Sequence, residues 1–492
     1  MKFDGTTAYR DTDQEVPVFR VRECHRSSPG DAQASDVPEM RCSDHGDPSL
    51  RQRATWWKGR RKARSWQRTL VPASLAFLFK MLQKIKKRGE NLEIAEISPQ
   101  FLQEYLHDIC MMGVKYAGTP GEVKAKDYLF NKLNDFGLED VRLEEFEYLN
   151  YLPIAAKLST ASEQQPIACE PLQHSANAVV EGELVYAGSS KEELDALVAR
   201  GVSFKEKIAL VKTPFPFWVY PTAEKLGAAG FVVITDPPDN LIRVAAAVVD
   251  RRKGTIPGVT ISLEDGERLL GSLKGGKVRV HLESRGEYRV KKSWNIIGEV
   301  RGNESPEQKV AVCSHYDSQI RGQHAWDNVS GDAGLLEIAR VTANSRPKRT
   351  IAIVFFGVEE QGAFWGSTAY VKAHRDDLKN YCALINLDGF SSALCPQNFL
   401  ETSPEAREYS LGVAKKLNWP VHHTGDPMPL SDHIPFIKAG VPAIWVHEGL
   451  IDPYYHTERD VFEHIDIDKL SKITEVAATN VTELANLNKL PF

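Results

Sequence analysis

Residues 309–342 read KVAVCSHYDSQIRGQHAWDNVSGDAGLLEIARVT. An apolar run through Cys313 carries His315 to its end, a polar loop follows, and a helical pattern starts near Ser330. The same strand-then-helix unit recurs as TIAIVFF (350–356) with GSTAYVKAH (366–374), and CALINLD (382–388) with SPEAREYSLGVAKKL (403–417). It ends with VPAIWVH (441–447) and the helix IDKLSKITEVAATNVTELANL (467–487). Near-continuous apolar strands alternating with helices predict a mainly parallel mixed sheet covered on both faces, a three-layer α/β/α domain. Such sheets bind ligands beyond the carboxyl ends of their strands.

Upstream of this domain the texture changes. Residues 165–285 carry short strand-like runs (ELVYAG, KIALVKT, GFVVITD, VTISLE, KVRVHL) between Gly, Pro and charged turns, with a helix in YPTAEKLGAAG. They contain no cluster of His, Cys and acids and read as a small inserted β-rich module. Before it, a helical pattern begins near Ser98, an amphipathic helix in AGTPGEVKAKDYLFNKLNDFG stops at Gly137, and VRLEEFEYLNYL alternates as a strand. The expected organisation is an N-terminal extension (1–90), a first part of the α/β domain (95–160), the insert (161–287) and the main α/β domain (288–492).

Composition narrows the class. The 492 residues are 42% hydrophobic, enough for two or three domains with real cores. A net charge of −5 gives no overall electrostatic case for nucleic acid or an anionic membrane as partner. The local exception is RQRATWWKGRRKARSWQRTL (51–70), with eight Lys/Arg and no acid. That segment lacks periodicity and is read as part of a disordered or non-native extension, with Met81 a candidate start. The seven cysteines are scattered without a C-x-x-C pair, which argues against a disulfide framework; Cys313 and Cys382, inside apolar runs, are expected in the core. No apolar run reaches the roughly 18 residues of a membrane span. Leu70–Phe79 is too short and too far from the start for a secretory signal. A cytoplasmic location is therefore favoured.

The chemistry collects at strand ends. His315 and Asp317 are two apart on an extended segment and project from the same side. Asp327 stands just before a helix, where backbone amides hold a carboxylate. Glu359 and Glu360 follow TIAIVFFGV directly, and adjacent acids in so apolar a setting need neutralising cations or a shared proton. One can bind metal while the other faces an attacking water. Asp388 ends CALINLD, and His456 lies in PYYHTERD after VPAIWVH. Two imidazoles and three carboxylates, one bridging, give each of two metals three protein ligands and leave a position open for water. Taken singly, each has an ordinary alternative: a surface pair, an N-cap, an acidic turn.

Taken together, H-x-D (315–317), D-N-x-S-G (327–331), E-E (359–360), L-D (387–388) and Y-H-T (455–457) resemble the zinc peptidases of family M28. The resemblance spans residues 98–492 and includes WNIIGEVRG (294–302), Ser431-Asp432-His433 and EHIDIDKL (463–470). It implies two Zn2+ per chain, or other divalent ions. One would be held by His315, Asp327 and Asp388, the other by Asp327, Glu360 and His456, with Asp327 as bridge. Glu359 would be the general base and Asp317 would orient His315. A cis peptide after Asp327 is also implied. In EKLGAAGFVVITD and IPGVTIS the insert resembles a protease-associated (PA) domain, which would touch no metal and would cover the cleft or support a homodimer.

Two positions depart from the pattern. His324-Ala325-Trp326 replaces smaller residues before the bridging Asp, so Trp326 either lines a subsite or packs at the rim. Met428 stands where aminopeptidase members often carry an oxyanion-stabilising Tyr; Tyr455 resembles the Tyr of a carboxypeptidase-like branch and could donate instead. The implied function is a zinc exopeptidase acting on peptides, an aminopeptidase first. The alternatives are a carboxypeptidase of the same family, a glutaminyl cyclase-like transferase, and a receptor-like binding protein without metals.

Overall fold

The computed structural model describes residues 96–161, 166–449 and 452–492; the expectations for residues 1–90 lie outside the described residues. Helix α1 (Pro99–Cys110) starts where the Ser98 hydroxyl accepts the Phe101 N–H. Helix α2 (Pro120–Phe136) begins on a proline and ends at Gly137, whose φ of 79° lies in the left-handed region glycine adopts freely. Strand β1 (Glu139–Thr160) then leads into the insert.

The insert comprises β2 (Glu170–Pro171), β3 (Ala178–Tyr186), α3 (Lys191–Ala199), β4 (Ile208–Lys212), α4 (Tyr220–Lys225), β5 (Gly230–Ile234), β6 (Gly258–Ile261) and α5 (Leu263–Gly275). Strand β7 (Arg279–Val300) returns antiparallel to β1 along almost its whole length. Its first half pairs with β3 of the insert and its second half with the main sheet, so this two-stranded ribbon belongs to both. Residue 287 therefore falls inside a continuous strand.

The insert is more helical than its sequence suggested. Ser190 caps α3 by accepting the Glu193 N–H, and Ser262 caps α5 by accepting the Asp265 N–H. VTISLE accordingly stops being strand at Ile261, because the next residue already turns the chain into a helix. Three glycines within Leu263–Gly275 had blurred the helical pattern.

The main domain continues with β8 (Ser305–His315), α6 (Ser330–Thr342), β9 (Arg349–Phe356), α7 (Trp365–Ala373), β10 (Tyr381–Leu387), β11 (Phe399–Thr402), α8 (Arg407–Lys416), α9 (His433–Lys438), β12 (Ala443–His447) and α10 (Ile467–Asn486). Its strands run in the order β11-β12-β10-β8-β9-β7. The inner four are parallel, and β11 and β7 close the edges antiparallel.

Alternation along each strand builds the two flanking layers. Val310 and Val312 of β8, Ile351, Ile353 and Phe355 of β9, and Ile385 of β10 face α1, α2, α6 and α10 in the larger core. Ala311, Cys313, Ala352 and Val354 point the other way, towards Tyr370 of α7 and Phe436 of α9. With both faces covered, the polar groups that must stay functional are confined to the strand ends. Among the described residues no helix is long and apolar enough to cross a membrane.

The first turn of α6 is seated tightly on the end of β10. A Cβ on Gly331 would fall 2.6 Å from the Leu387 carbonyl oxygen and would also meet the Asn328 side chain. Gly331→Ala is therefore expected to destabilise the fold by about 1–3 kcal/mol through overpacking. Thermal unfolding of the purified variant checks this, an unchanged melting temperature being the contrary result.

Candidate metal centre

The carboxyl ends of the parallel strands bring six of the expected residues to one place. His315 closes β8, Glu359 and Glu360 follow β9, Asp388 follows β10, His456 lies in the turn after β12, and Asp327 precedes α6. His315, Asp327 and Asp388 form one buried group, and Asp327, Glu360 and His456 a second, each with one ligand atom per residue within 4.8 Å of the others. Asp327 belongs to both. Its Oδ1 lies 3.2 Å from His315 Nε2 and its Oδ2 3.1 Å from His456 Nε2. Asp388 Oδ1 is 3.3 Å from His315 Nε2, and Glu360 Oε2 is 2.9 Å from His456 Nε2. The Asp327–Asn328 peptide is cis.

The donor set fits divalent cations. His456 Nδ1 faces the Val244 carbonyl at 3.2 Å, so that nitrogen donates and the Nε2 lone pair is turned towards two carboxylates. His456 Nε2 and Glu360 Oε1 are both buried without a hydrogen-bond partner. Such a knot of buried acceptors is unfavourable unless a cation or extra protons sit among them. The electrostatics agree. Burial would lower the His456 imidazole, yet Glu360 and Asp327 push it up to about 10. Burial lifts Glu360 to about 7, with His456 opposing and Asp327 adding. Burial likewise raises Glu359 well above the carboxylate range, His315 opposing and Asp388 and Glu360 adding.

Further residues hold these groups in position. The Asp317 carboxylate accepts the backbone N–H of Glu359 at 2.9 Å and of Glu360 at 3.1 Å, which pins the acidic pair. Its Oδ1 is 3.7 Å from His315 Nδ1, which lies closer, at 3.3 Å, to the Asp317 main-chain carbonyl. Asp460 accepts the backbone N–H of Trp326 at 2.7 Å and of Asp327 at 3.1 Å. Ser431 donates to Asp388, and Gln319 donates to Glu360 Oε2 at 2.9 Å. Asp460 and Gln319 were not singled out in the sequence. Each is a short step beyond a motif, four residues past His456 and two past Asp317, and spacing alone cannot separate them from ordinary polar side chains.

The two departures resolve differently. Trp326 is buried; its indole N–H donates to Glu448 at 2.9 Å and its ring meets Tyr455 edge-on, so it packs beneath the site and does not line the cleft. Tyr455 lines the cleft with Glu359, Glu360, His456 and Gln319. The apolar walls come from both domains, Phe215, Phe217 and Val249 from the insert and Phe364 and Leu430 from the main domain. Among the described residues that line the cleft, none is Lys or Arg. Met428 is not in the lining; its N–H donates to Glu401, while Pro429 and Leu430 reach the cleft.

Residues 295–481 match the model of peptidase family M28, and residues 180–269 that of the PA domain. The chain is 28% identical over 403 residues to aminopeptidase YwaD of Bacillus subtilis, covering 77% of this chain and 83% of that protein. It is 24% identical over 411 residues to human carboxypeptidase Q, covering 77% and 84%. In fold it resembles a zinc aminopeptidase from Bacillus subtilis (TM-score 0.64, 24% identity, covering 81% of this chain and 97% of that one). It also resembles an aminopeptidase from Aneurinibacillus sp. strain AM-1 (TM-score 0.65, 22% identity, covering 80% and 96%).

Because one carboxylate anchors two consecutive amides, Asp317→Ala should leave two buried N–H groups unpaired, each costing about 1–3 kcal/mol. A lowered melting temperature in the metal-free protein tests this; wild-type stability would contradict it.

Proposed function

The chain is a peptidase of family M28 with an inserted PA domain, and we propose that it is a two-zinc aminopeptidase that removes N-terminal residues from peptides. The observation that carries the two-metal reading is the sharing of Asp327 between two three-residue groups, one oxygen turned to each. His315, Asp327 and Asp388 would hold one ion, and Asp327, Glu360 and His456 the other. When bound, the ions would polarise the scissile carbonyl and lower the pKa of the attacking water.

The protein's own residues supply the rest. Glu359, at the cleft wall and fixed by Asp317 through its backbone, would take a proton from the attacking water and return it to the leaving amine. The Tyr455 hydroxyl would donate to the oxyanion that develops on the carbonyl. Fixed dipoles of this kind stabilise the transition state without having to reorganise during the reaction.

The choice of amino end over carboxyl end rests on charge. Among the described residues that line the cleft, Glu359 is the one acid not assigned to a metal, and no Lys or Arg stands there to hold a carboxylate, which favours an α-ammonium group. A terminal carboxylate is usually gripped by a cation, and Arg243 of the insert, 5.1 Å from the Tyr455 ring centroid, is buried and paired with Asp236 at 3.0 Å. The competing carboxypeptidase reading draws on Tyr455 beside His456 and on the likeness to carboxypeptidase Q.

A panel of free and N-acetylated peptides, assayed with and without chelator, decides between them. Release of the first residue from free peptides, blocked by acetylation and by chelator, is expected; release from the carboxyl end would overturn the aminopeptidase reading. A peptide beginning with Gln should yield a free amino acid, and ammonia with a cyclised product would instead indicate a cyclase.

Glu359→Gln is expected to lower kcat by about 10²–10⁴-fold while both zinc ions stay bound. Near-full turnover would remove Glu359 as the base. Tyr455→Phe should cost about 10²–10³-fold in kcat with little change in KM, as loss of an oxyanion donor does. An unchanged kcat would exclude the hydroxyl from that role.

A further inference from the structure

Among the described residues, the insert reaches the candidate metal centre on one side only. The Gln173 carboxamide donates to Gln319 Oε1 at 2.9 Å, and Gln319 in turn donates to Glu360 at both its carbonyl (3.0 Å) and its carboxylate Oε2 (2.9 Å). The backbone of Val244 pairs with His456 in both directions: its N–H donates to the His456 carbonyl at 3.0 Å, and its carbonyl faces His456 Nδ1 at 3.2 Å. These contacts form one unit, because the Gln173 backbone is itself paired with residues 243–249, a strap of the insert, its N–H to the Ala245 carbonyl and its carbonyl to the Ala247 N–H.

Side chains fasten the strap down. The Arg243 guanidinium lies 5.1 Å from the Tyr455 ring centroid, and Arg251 lies 4.7 Å from that of Trp365. His174 adds a contact at 2.8 Å to the carbonyl of Gln361, the residue after Glu360. Gln173, His174 and Gln319 are all buried, so these hydrogen bonds do not compete with water. The side chains of His315 and Asp388, by contrast, take their contacts from Asp317, Asp327 and Ser431, all within the main domain.

We propose that the insert is the outer shell of the second metal site alone: Gln173 and the strap 243–249 set the orientation of Glu360 and the tautomer of His456. A ligating histidine is a good ligand only when its other nitrogen is held as a donor, and partners of this kind govern metal affinity strongly. Closure of the insert is then coupled to the affinity of the Asp327–Glu360–His456 site and not to that of the His315–Asp327–Asp388 site. The coupling is reciprocal, so an ion in the second site holds the strap closed. The inference rests on the two-metal assignment proposed above.

The test is zinc titration of the full chain, with circular dichroism to confirm folding. Wild type should bind two ions. Gln173→Leu combined with Arg243→Met should bind one as wild type does and the other about 10–100-fold more weakly. Gln173→Glu, which keeps size and polarity but sets acceptor against acceptor at Gln319, should do the same and serves if the double variant does not fold.

Backgrounds that leave one site locate the effect. With His315→Ala the insert changes should weaken the remaining ion; with His456→Ala they should change nothing. Hydrogen exchange in the strap should slow on adding zinc to wild type and not to His456→Ala. Two ions in wild type with equal weakening of both, or of neither, in the insert variants would overturn the inference while leaving the metal assignment standing. Fewer than two ions in wild type would overturn the assignment and the inference with it.

Discussion

Everything in this molecule that bears on its chemistry depends on keeping one buried carboxylate, that of Asp327, between two imidazoles. Burial alone would raise Asp327, and the hydrogen bonds of His315 and His456 outweigh it and hold the carboxyl well below its ordinary range. Its position is enforced from behind by acids as well. Asp460 accepts the Trp326 and Asp327 amides, and Glu448 accepts the Trp326 indole N–H together with the amides of Ser391 and Ser392, while pairing with Lys469. So many carboxyl groups gathered out of water are tolerable only where donors or cations meet each of them. A fixed set of amides meets these acids at the back, and the proposed metal ions would meet them at the front.

The fold supplies both. Parallel strands covered on two faces leave their carboxyl ends as the one place where polar side chains converge without breaking the core. Three consecutive parallel strands, β8, β9 and β10, bring His315, the glutamate pair and Asp388 there. The β1–β7 ribbon carries the insert over the same edge, and the strap returns to touch His456. The cleft is consequently composite: its acids come from the sheet, and part of its apolar wall comes from the insert.

Much of this was legible in the chain. The candidate ligands announce themselves because His315, the Glu359–Glu360 pair and Asp388 end or closely follow apolar runs, and the order of the whole set carries the family resemblance. The sheet was legible for the same reason: CALINLD and TIAIVFF have no alternative but a strand buried on both faces. What escaped notice was either short or outward in meaning. Helices α3 and α5 are amphipathic but polar, α5 is also interrupted by glycines, and β11 and α9 are only four and six residues long. Asp460, Gln319 and the Val244 carbonyl act through distant contacts, and a backbone carbonyl has no residue type to be recognised by. Asp317 shows the same limit from the other side: its nearness to His315 follows from spacing, whereas its grip on the Glu359 and Glu360 amides depends on how β9 lies beside β8.

The central claim is that Asp327 is shared by two metal ions. The most direct measurement is anomalous X-ray diffraction at the zinc edge on crystals of the full chain, beside Asp327→Ala grown in the same zinc concentration. The account predicts two anomalous peaks in the wild type, one flanked by His315 and Asp388 and the other by Glu360 and His456, with both weakened or lost in the variant. A single peak in the wild type, or two peaks undiminished in Asp327→Ala, would contradict it.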